Sequence, residues 1–238
     1  MKVLIVEDDQ FHATYLHDAL AEALPEVTEI FHAADGGAGE EEARRGGFEA
    51  IVMDLQMEGR NGIEAARTIW AERPQTRVLF WSNYADEAYL RGIAQIVPEE
   101  SAYGYVLKTA SRDRLKLALR AVLIEAQIMV DREIHRLQRR STSRRSGLDD
   151  SEFDVLIDLA LGLQDKSIAE RRGMSLRTVQ NRLLSLYEKL GVLSELDEEL
   201  TLNKRVRALN RALATRTINV ETLEAAQRDL QVWLADRH

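Results

Sequence analysis

The chain has 238 residues, enough for about two domains of ~100–150 each. Its net charge of −8 is unevenly spread: acids outnumber bases roughly two to one up to Lys108, while Arg132, Arg136, Arg139, Arg140, Arg144 and Arg145 crowd the middle. With no cysteine it forms no disulfide, thiolate zinc site or thiol nucleophile, and no apolar run reaches the ~20 residues that cross a bilayer.

In chain order, residues 2–6 form an apolar run that reads as a strand buried on both faces, and it ends in Glu7-Asp8-Asp9. Three like charges in a row repel unless something positive sits among them. A hard divalent cation answers that need. Mg²⁺ takes one or two carboxylates plus waters and phosphate oxygens, and Asp8, Asp9 and Asp54 can supply the carboxylates jointly. Phe11, Tyr15, Leu16, Ala19 and Leu20 recur at helical spacing until Pro25. A second strand is expected at 27–31, then a turn at Asp35-Gly36-Gly37 and a helix through Arg45. Ile51-Val52-Met53 is a third buried run, and it ends in Asp54. A loop at 58–62, a helix at 63–73 and Pro74 follow. The run at 78–81 ends in Ser82, and the run at 103–107 ends in Lys108. Strands alternating with helices predict a doubly wound, five-stranded parallel sheet, which binds ligands at the carboxyl ends of its strands. The acids, Asp54, Ser82 and Lys108 all fall at such ends.

A helix is expected from about Ser111, with no breaker before Ser141-Thr142-Ser143. Leu119, Leu123, Ala126, Val130, Ile134 and Leu137 follow one another at spacings of 4, 3, 4, 4 and 3, a single apolar stripe. Its first half suits the sheet. Val130, Ile134 and Leu137 extend past it, so a second copy of this helix is the expected cover, with docking on the second domain as the competing reading. Residues 141–147, small, polar and basic, form the expected hinge.

From Leu148 the pattern changes. Phe153, Leu156, Leu159 and Leu163 mark one helix, Asp165 caps a short second one, and Gly173 sits in a turn. Ser175 caps a third helix, with Val179, Leu183, Leu186 and Leu190 inward and Gly191 at its end. That is the helix-turn-helix plan. Arg177, Gln180, Asn181 and Leu184 share the outward stripe, where Gln and Asn can read adenine and Arg can read guanine or hold phosphate. Lys166 and Arg182 flank the stripe and suit phosphate positioning. Residues 193–202 read as an insertion, 203–213 as a further helix, and 220–234 as an amphipathic stretch for packing or dimerisation.

Glu7-Asp8-Asp9, Asp54, Ser82 and Lys108, with Tyr105 three residues before the lysine, resemble the receiver domain of two-component response regulators over residues 2–119. Asp165-Lys166-Ser167-Ile168-Ala169, Ser175-Leu176-Arg177-Thr178-Val179-Gln180-Asn181 and Glu188-Lys189-Leu190-Gly191-Val192 resemble the LuxR-type DNA-binding domain. Together the two resemble the NarL/FixJ class. This resemblance implies that Asp54 accepts a phosphoryl group from a sensor histidine kinase, with Mg²⁺ held by Asp8, Asp9, Asp54 and the main-chain carbonyl of Gln56. Lys108 would pair with a phosphate oxygen, Ser82 would donate to the phosphoryl group, and Tyr105 would be the aromatic that turns inward. It also implies a cytoplasmic homodimer on double-stranded DNA.

The expected domains are a receiver at 1–120, an extended helix and hinge at 121–147, the helix-turn-helix domain at 148–214 and a C-terminal helix at 215–238. Departures from the family pattern are Glu58 where a proline usually follows Met57, extra residues at 97–101, Gln180 for a usual lysine, apolar Leu184, and Asp149-Asp150 for Thr-Pro. The alternative function is a receiver that controls a protein-interaction module. Asp54 as the nucleophile of an aspartyl-phosphate phosphatase is disfavoured, because Gln56 stands where the general acid would be.

Overall fold

The computed structural model describes residues 1–141, 147–193 and 202–237, without the side chains of 137–141. It divides into two compact units, Met1–Ala85 with Tyr89–His135, and Asp86–Ala88 with Arg136–His238.

In the first unit strands and helices alternate: β1 (Lys2–Val6), α1 (Gln10–Ala23), β2 (Glu29–Ala33), α2 (Gly36–Gly46), β3 (Ala50–Met53), α3 (Gly62–Glu72), β4 (Arg77–Ser82), α4 (Glu87–Ile96), β5 (Tyr103–Leu107) and α5 (Arg112–Leu123). The sheet is parallel throughout, in the order β2-β1-β3-β4-β5, with one further strand beyond β5. Val3, Ile5, Val52, Leu79 and Val106 pack with Leu16, Leu20, Leu115, Leu119 and Val122 of α1 and α5. The alternate residues Leu4, Val6, Ile51, Met53, Phe80 and Tyr105 are buried on the opposite face, where Trp70 of α3 meets Phe80 edge-on at 5.9 Å. Burial on both faces explains why these strands read as unbroken apolar runs. Each such side chain contributes roughly 1.5–3 kcal/mol.

The helices begin where short polar side chains accept their first amides: Asp9 caps α1, Asp35 caps α2, Asn61 caps α3 and Ser111 caps α5. Asn61 and Glu64 form a reciprocal capping box. Gly62 follows at once, and a Cβ there would stand 2.0 Å from the Asp54 carbonyl oxygen. Glycine therefore lets α3 start hard against the end of β3, which fixes the loop that carries Asp54.

The long helix expected beyond Ser111 is not formed. α5 stops at Leu123, and Ala126 turns the chain through a left-handed φ of 52°. The amides of Glu125 and Gln127 reach back to the carbonyls of Arg120 and Ala121 at 3.1 and 2.8 Å. The chain then forms β6 (Met129–Val130) on the edge of β5, making six strands where five are expected, and continues as α6 (Arg132–Ser141). The expected dimer seam, drawn on one continuous helix, therefore has no such helix to carry it. Val130 is a half-buried strand residue paired with Tyr105, and Ile134 is 0% exposed within its own chain. The side chain of Leu137 lies outside the described residues. A local apolar period cannot distinguish one long helix from a short edge strand followed by a separate helix.

The second unit is helical: α7 (Asp150–Ala160), α8 (Asp165–Arg171), α9 (Leu176–Lys189), α10 (Lys204–Ala214) and α11 (Val220–Ala235). Ile168 and Ala169 of α8 pack on Val179 and Leu183 of α9 and on Val155 and Leu159 of α7. Leu156, Leu186, Ala208, Ala212 and Ile218 form a second cluster, against which Leu223 and Ala226 of α11 lie. The expected amphipathic stretch at 220–234 is thus a helix that packs on its own core. The expected insertion falls outside the described residues at 194–201, and the hinge does so at 142–146.

Candidate functional site

In a parallel sheet of this order the strand sequence reverses between β1 and β3, and ligands bind outside the carboxyl ends there. Glu7 and Asp8 follow β1, and Asp54 follows β3. Asp54 is 3% exposed; its Oδ2 accepts from Lys108 Nζ at 2.9 Å and its Oδ1 from the Gln56 amide at 3.1 Å. Lys108 also donates to both oxygens of fully buried Glu7, at 3.0 and 2.8 Å. Lys108 is the positive charge that the acids of this edge require. Burial raises the Asp54 carboxyl, against the pull of Lys108. Burial, and then the neighbouring Asp54, push Glu7 up to about 7, again opposed by Lys108.

Carboxylate oxygens of Glu7, Asp8 and Asp54 lie within 4.8 Å of one another. This grouping differs from the expected one of Asp8, Asp9 and Asp54. Asp9 is turned away to cap α1, accepting from the His12 amide at 2.8 Å, and Glu7 stands in its place. Which two of three consecutive acids face the site depends on where the strand ends and the cap begins.

Ser82 is fully buried at the end of β4, and its Oγ accepts from the Tyr84 amide at 3.4 Å. Tyr105 is fully buried as well, and its hydroxyl donates to the Tyr84 carbonyl at 2.7 Å. One residue, Tyr84, therefore joins the serine to the tyrosine. Two further neighbours were not singled out from sequence. His12 Nδ1 lies 3.2 Å from Lys108 Nζ, and the ammonium stands 5.0 Å from the centre of the Trp81 ring. Adjacency to Ser82 was the only available signal for Trp81, and His12 carried none.

In the second unit Ser175 caps α9, accepting from the Thr178 amide at 3.1 Å. Val179, Leu183 and Leu186 face inward, while Arg177, Gln180, Asn181 and Leu184 are exposed, Leu184 to 58%. Lys166 is exposed on α8. Arg182 differs, because its guanidinium is bound to Asp149 at 2.8 Å. Arg171 and Arg172 both bind buried Asp158, at 2.5 and 2.6 Å, and so hold α8 to α7.

Fold and acidic site together define a receiver joined in one chain to a helix-turn-helix unit. Residues 3–120 match the response regulator receiver domain. The chain is 34% identical over 197 residues to the transcriptional regulatory protein YdfI of Bacillus subtilis, covering 80% of this chain and 89% of that one. It is 31% identical over 201 residues to the DNA-binding transcriptional activator DevR/DosR of Mycobacterium tuberculosis, covering 81% and 89%. Its fold is similar to that of RcsB from Salmonella enterica serovar Typhimurium bound to a promoter in the presence of phosphomimetic BeF3⁻. That match has a TM-score of 0.60 at 21% identity and covers 92% of this chain and 99% of the other. The chain belongs to the response regulators, in the NarL/FixJ class. Among the described residues no helix is long and apolar enough to cross a membrane.

Proposed function

We propose that this chain is a cytoplasmic transcription regulator, switched by phosphorylation of Asp54 by a sensor histidine kinase, that binds double-stranded DNA as a homodimer. The observation that carries the reading is the Lys108 ammonium held between the buried carboxylates of Asp54 and Glu7, at the edge where such a sheet binds ligands. An oxygen of Asp54 attacks the phosphorus of a phosphohistidine. The P–N bond breaks, the imidazole keeps the electron pair, and Asp54 becomes an acyl phosphate. Lys108, released from Asp54, pairs with a phosphoryl oxygen through its flexible stem. Ser82 turns its hydroxyl toward the phosphoryl group and lets go of the Tyr84 amide. Tyr105, bound to the same residue, follows. A charge event thereby biases a two-state element.

The clustered donors are oxygens of the hard type that Mg²⁺ takes. Glu7, Asp8 and Asp54, with the main-chain carbonyl of Gln56, are the residues that would hold it. When bound, Mg²⁺ neutralises phosphoryl oxygens and reduces their repulsion of Asp54. On α9, Gln180 and Asn181 offer paired donors and acceptors to base edges, Arg177 reads guanine or holds phosphate, and Lys166 holds phosphate.

The test is acid-labile phosphate uptake from a small phosphodonor in Mg²⁺, followed by selection from randomised duplex oligonucleotides. Asp54→Asn should take up none and Asp8→Asn less than the parent. Normal labelling of Asp54→Asn would remove the phosphosite. Failure of the parent to enrich any sequence would favour the protein-interaction reading, to which the exposed, apolar Leu184 is suited.

A further inference from the structure

A parallel sheet that ends at β5 leaves a row of unpaired amides and carbonyls on that strand's far edge. Here β6 covers part of the row, pairing Gly104 with Met129 and Tyr105 with Val130, and the Asp131 amide donates to the Tyr105 carbonyl at 3.0 Å. Gly104 makes room for it, since a Cβ there would lie 3.1 Å from the Met129 carbonyl oxygen and closer still to Leu79 and Val122. Two residues of strand are too few to reach the amide of Leu107. The side chain of Asp131 reaches it instead, with Oδ2 accepting from Leu107 N at 3.0 Å. Its other oxygen accepts from Arg114 Nε on α5, also at 3.0 Å, and the carboxylate is only 13% exposed.

Lys108 comes next in the chain. Its own amide donates inward, to the Ser82 carbonyl at 2.7 Å. The end of β5 is thus held from both sides, by Ser82 within the sheet and by Asp131 outside it. A lysine ammonium on a flexible stem goes where its Cα allows, and a misplacement of about 1 Å at a reacting centre can cost ~10²-fold in rate. We propose that Asp131 is a positioning residue for Lys108: its carboxylate, oriented by Arg114, fixes the Leu107 amide and so sets the ammonium over Asp54. The proposal rests on the reading of Asp54 as phosphoacceptor.

The full-length chain is compared with Asp131→Ala, Asp131→Asn, Lys108→Ala and the Asp131→Ala/Lys108→Ala double variant, by rate of phosphate uptake on Asp54 from acetyl phosphate in Mg²⁺. Loss of one charge-assisted hydrogen bond predicts a rate about tenfold lower for Asp131→Ala. Asp131→Asn, which keeps an acceptor for the amide, should recover most of it. In the Lys108→Ala background the second change should do nothing further, because residues that act through one group are not additive. Amide exchange at Leu107 should quicken in Asp131→Ala whether or not Lys108 is present. Should Asp131→Ala fail to fold, Arg114→Gln takes its place in the same cycle, with a smaller slowing that also vanishes without Lys108. Parental rates in Asp131→Ala, or a slowing of equal factor with and without Lys108, would overturn the proposal while leaving Asp54 as the acceptor. A parent that takes up no phosphate on Asp54 would overturn the underlying reading, and the proposal with it.

Discussion

Glu7 sits where two opposite influences meet, and its titration is open to measurement. Burial and the nearby Asp54 raise its carboxyl from 4.5 to about 7, against Lys108. A carboxyl raised on folding binds its proton more tightly in the folded chain than in the unfolded one. Its contribution is therefore full below the unfolded value and falls as pH climbs from 4.5 towards about 7. In metal-free buffer, urea unfolding at about pH 5 and about pH 8 should show the parent losing stability relative to Glu7→Gln across that window. Parallel curves for the two proteins would mean that Glu7 stays ionised in the fold. Glu152 in the second unit behaves in the opposite sense. Burial raises it, but Lys189, Ser185 and the Asp149 amide together lower it, so its contribution is lost only as pH falls below the ordinary 4.5.

Among the elements, the segment after α5 shows most clearly what packing does to a helical pattern. Ala126 holds a left-handed conformation that costs an L-residue roughly 1–2 kcal/mol, and beyond it the chain gains the pairing of β6 with β5 and the burial of Ile134. Ala126→Gly should relieve that strain and raise stability by about 1 kcal/mol in chemical denaturation; a loss instead would mean that the turn is not left-handed. Ile134→Ala should cost about 2–5 kcal/mol by opening a cavity, while sedimentation stays as in the parent. Dissociation on that change would return Ile134 to an interface between copies. For α9, Gln180→Ala should relax base preference by about 1–3 kcal/mol, and Lys166→Ala should reduce the salt slope by about one contact. Arg182→Ala should change the slope less than Lys166→Ala does, because Asp149 already holds that guanidinium. Binding indifferent to all three changes would take α9 out of the interface.

At the scale of the whole molecule, a chain of net charge −8 must meet a polyanion through local surface, so binding should weaken steeply with salt and tighten when Asp54 carries phosphate. Titration of a selected duplex by the phosphorylated parent and by Asp54→Asn checks this; equal affinities would uncouple the two functions. The placement of Asp54, Ser82 and Lys108 at one edge of the sheet could be read from the residues alone, because strands buried on both faces read as unbroken runs and a parallel sheet brings their carboxyl ends together. The outward stripe of α9 was readable for a similar reason, since Val179, Leu183 and Leu186 fix which side of a helix is buried. Local pattern could not choose Glu7 over Asp9, for that depends on whether the third acid extends the site or caps α1. Nor could it foresee the break after Leu123. The same apolar spacing serves one long helix, or a short strand on β5 followed by a separate helix. Only in the second case do Met129 and Val130 pair with Gly104 and Tyr105, and that strand lies too far back in the chain for a local pattern to register it.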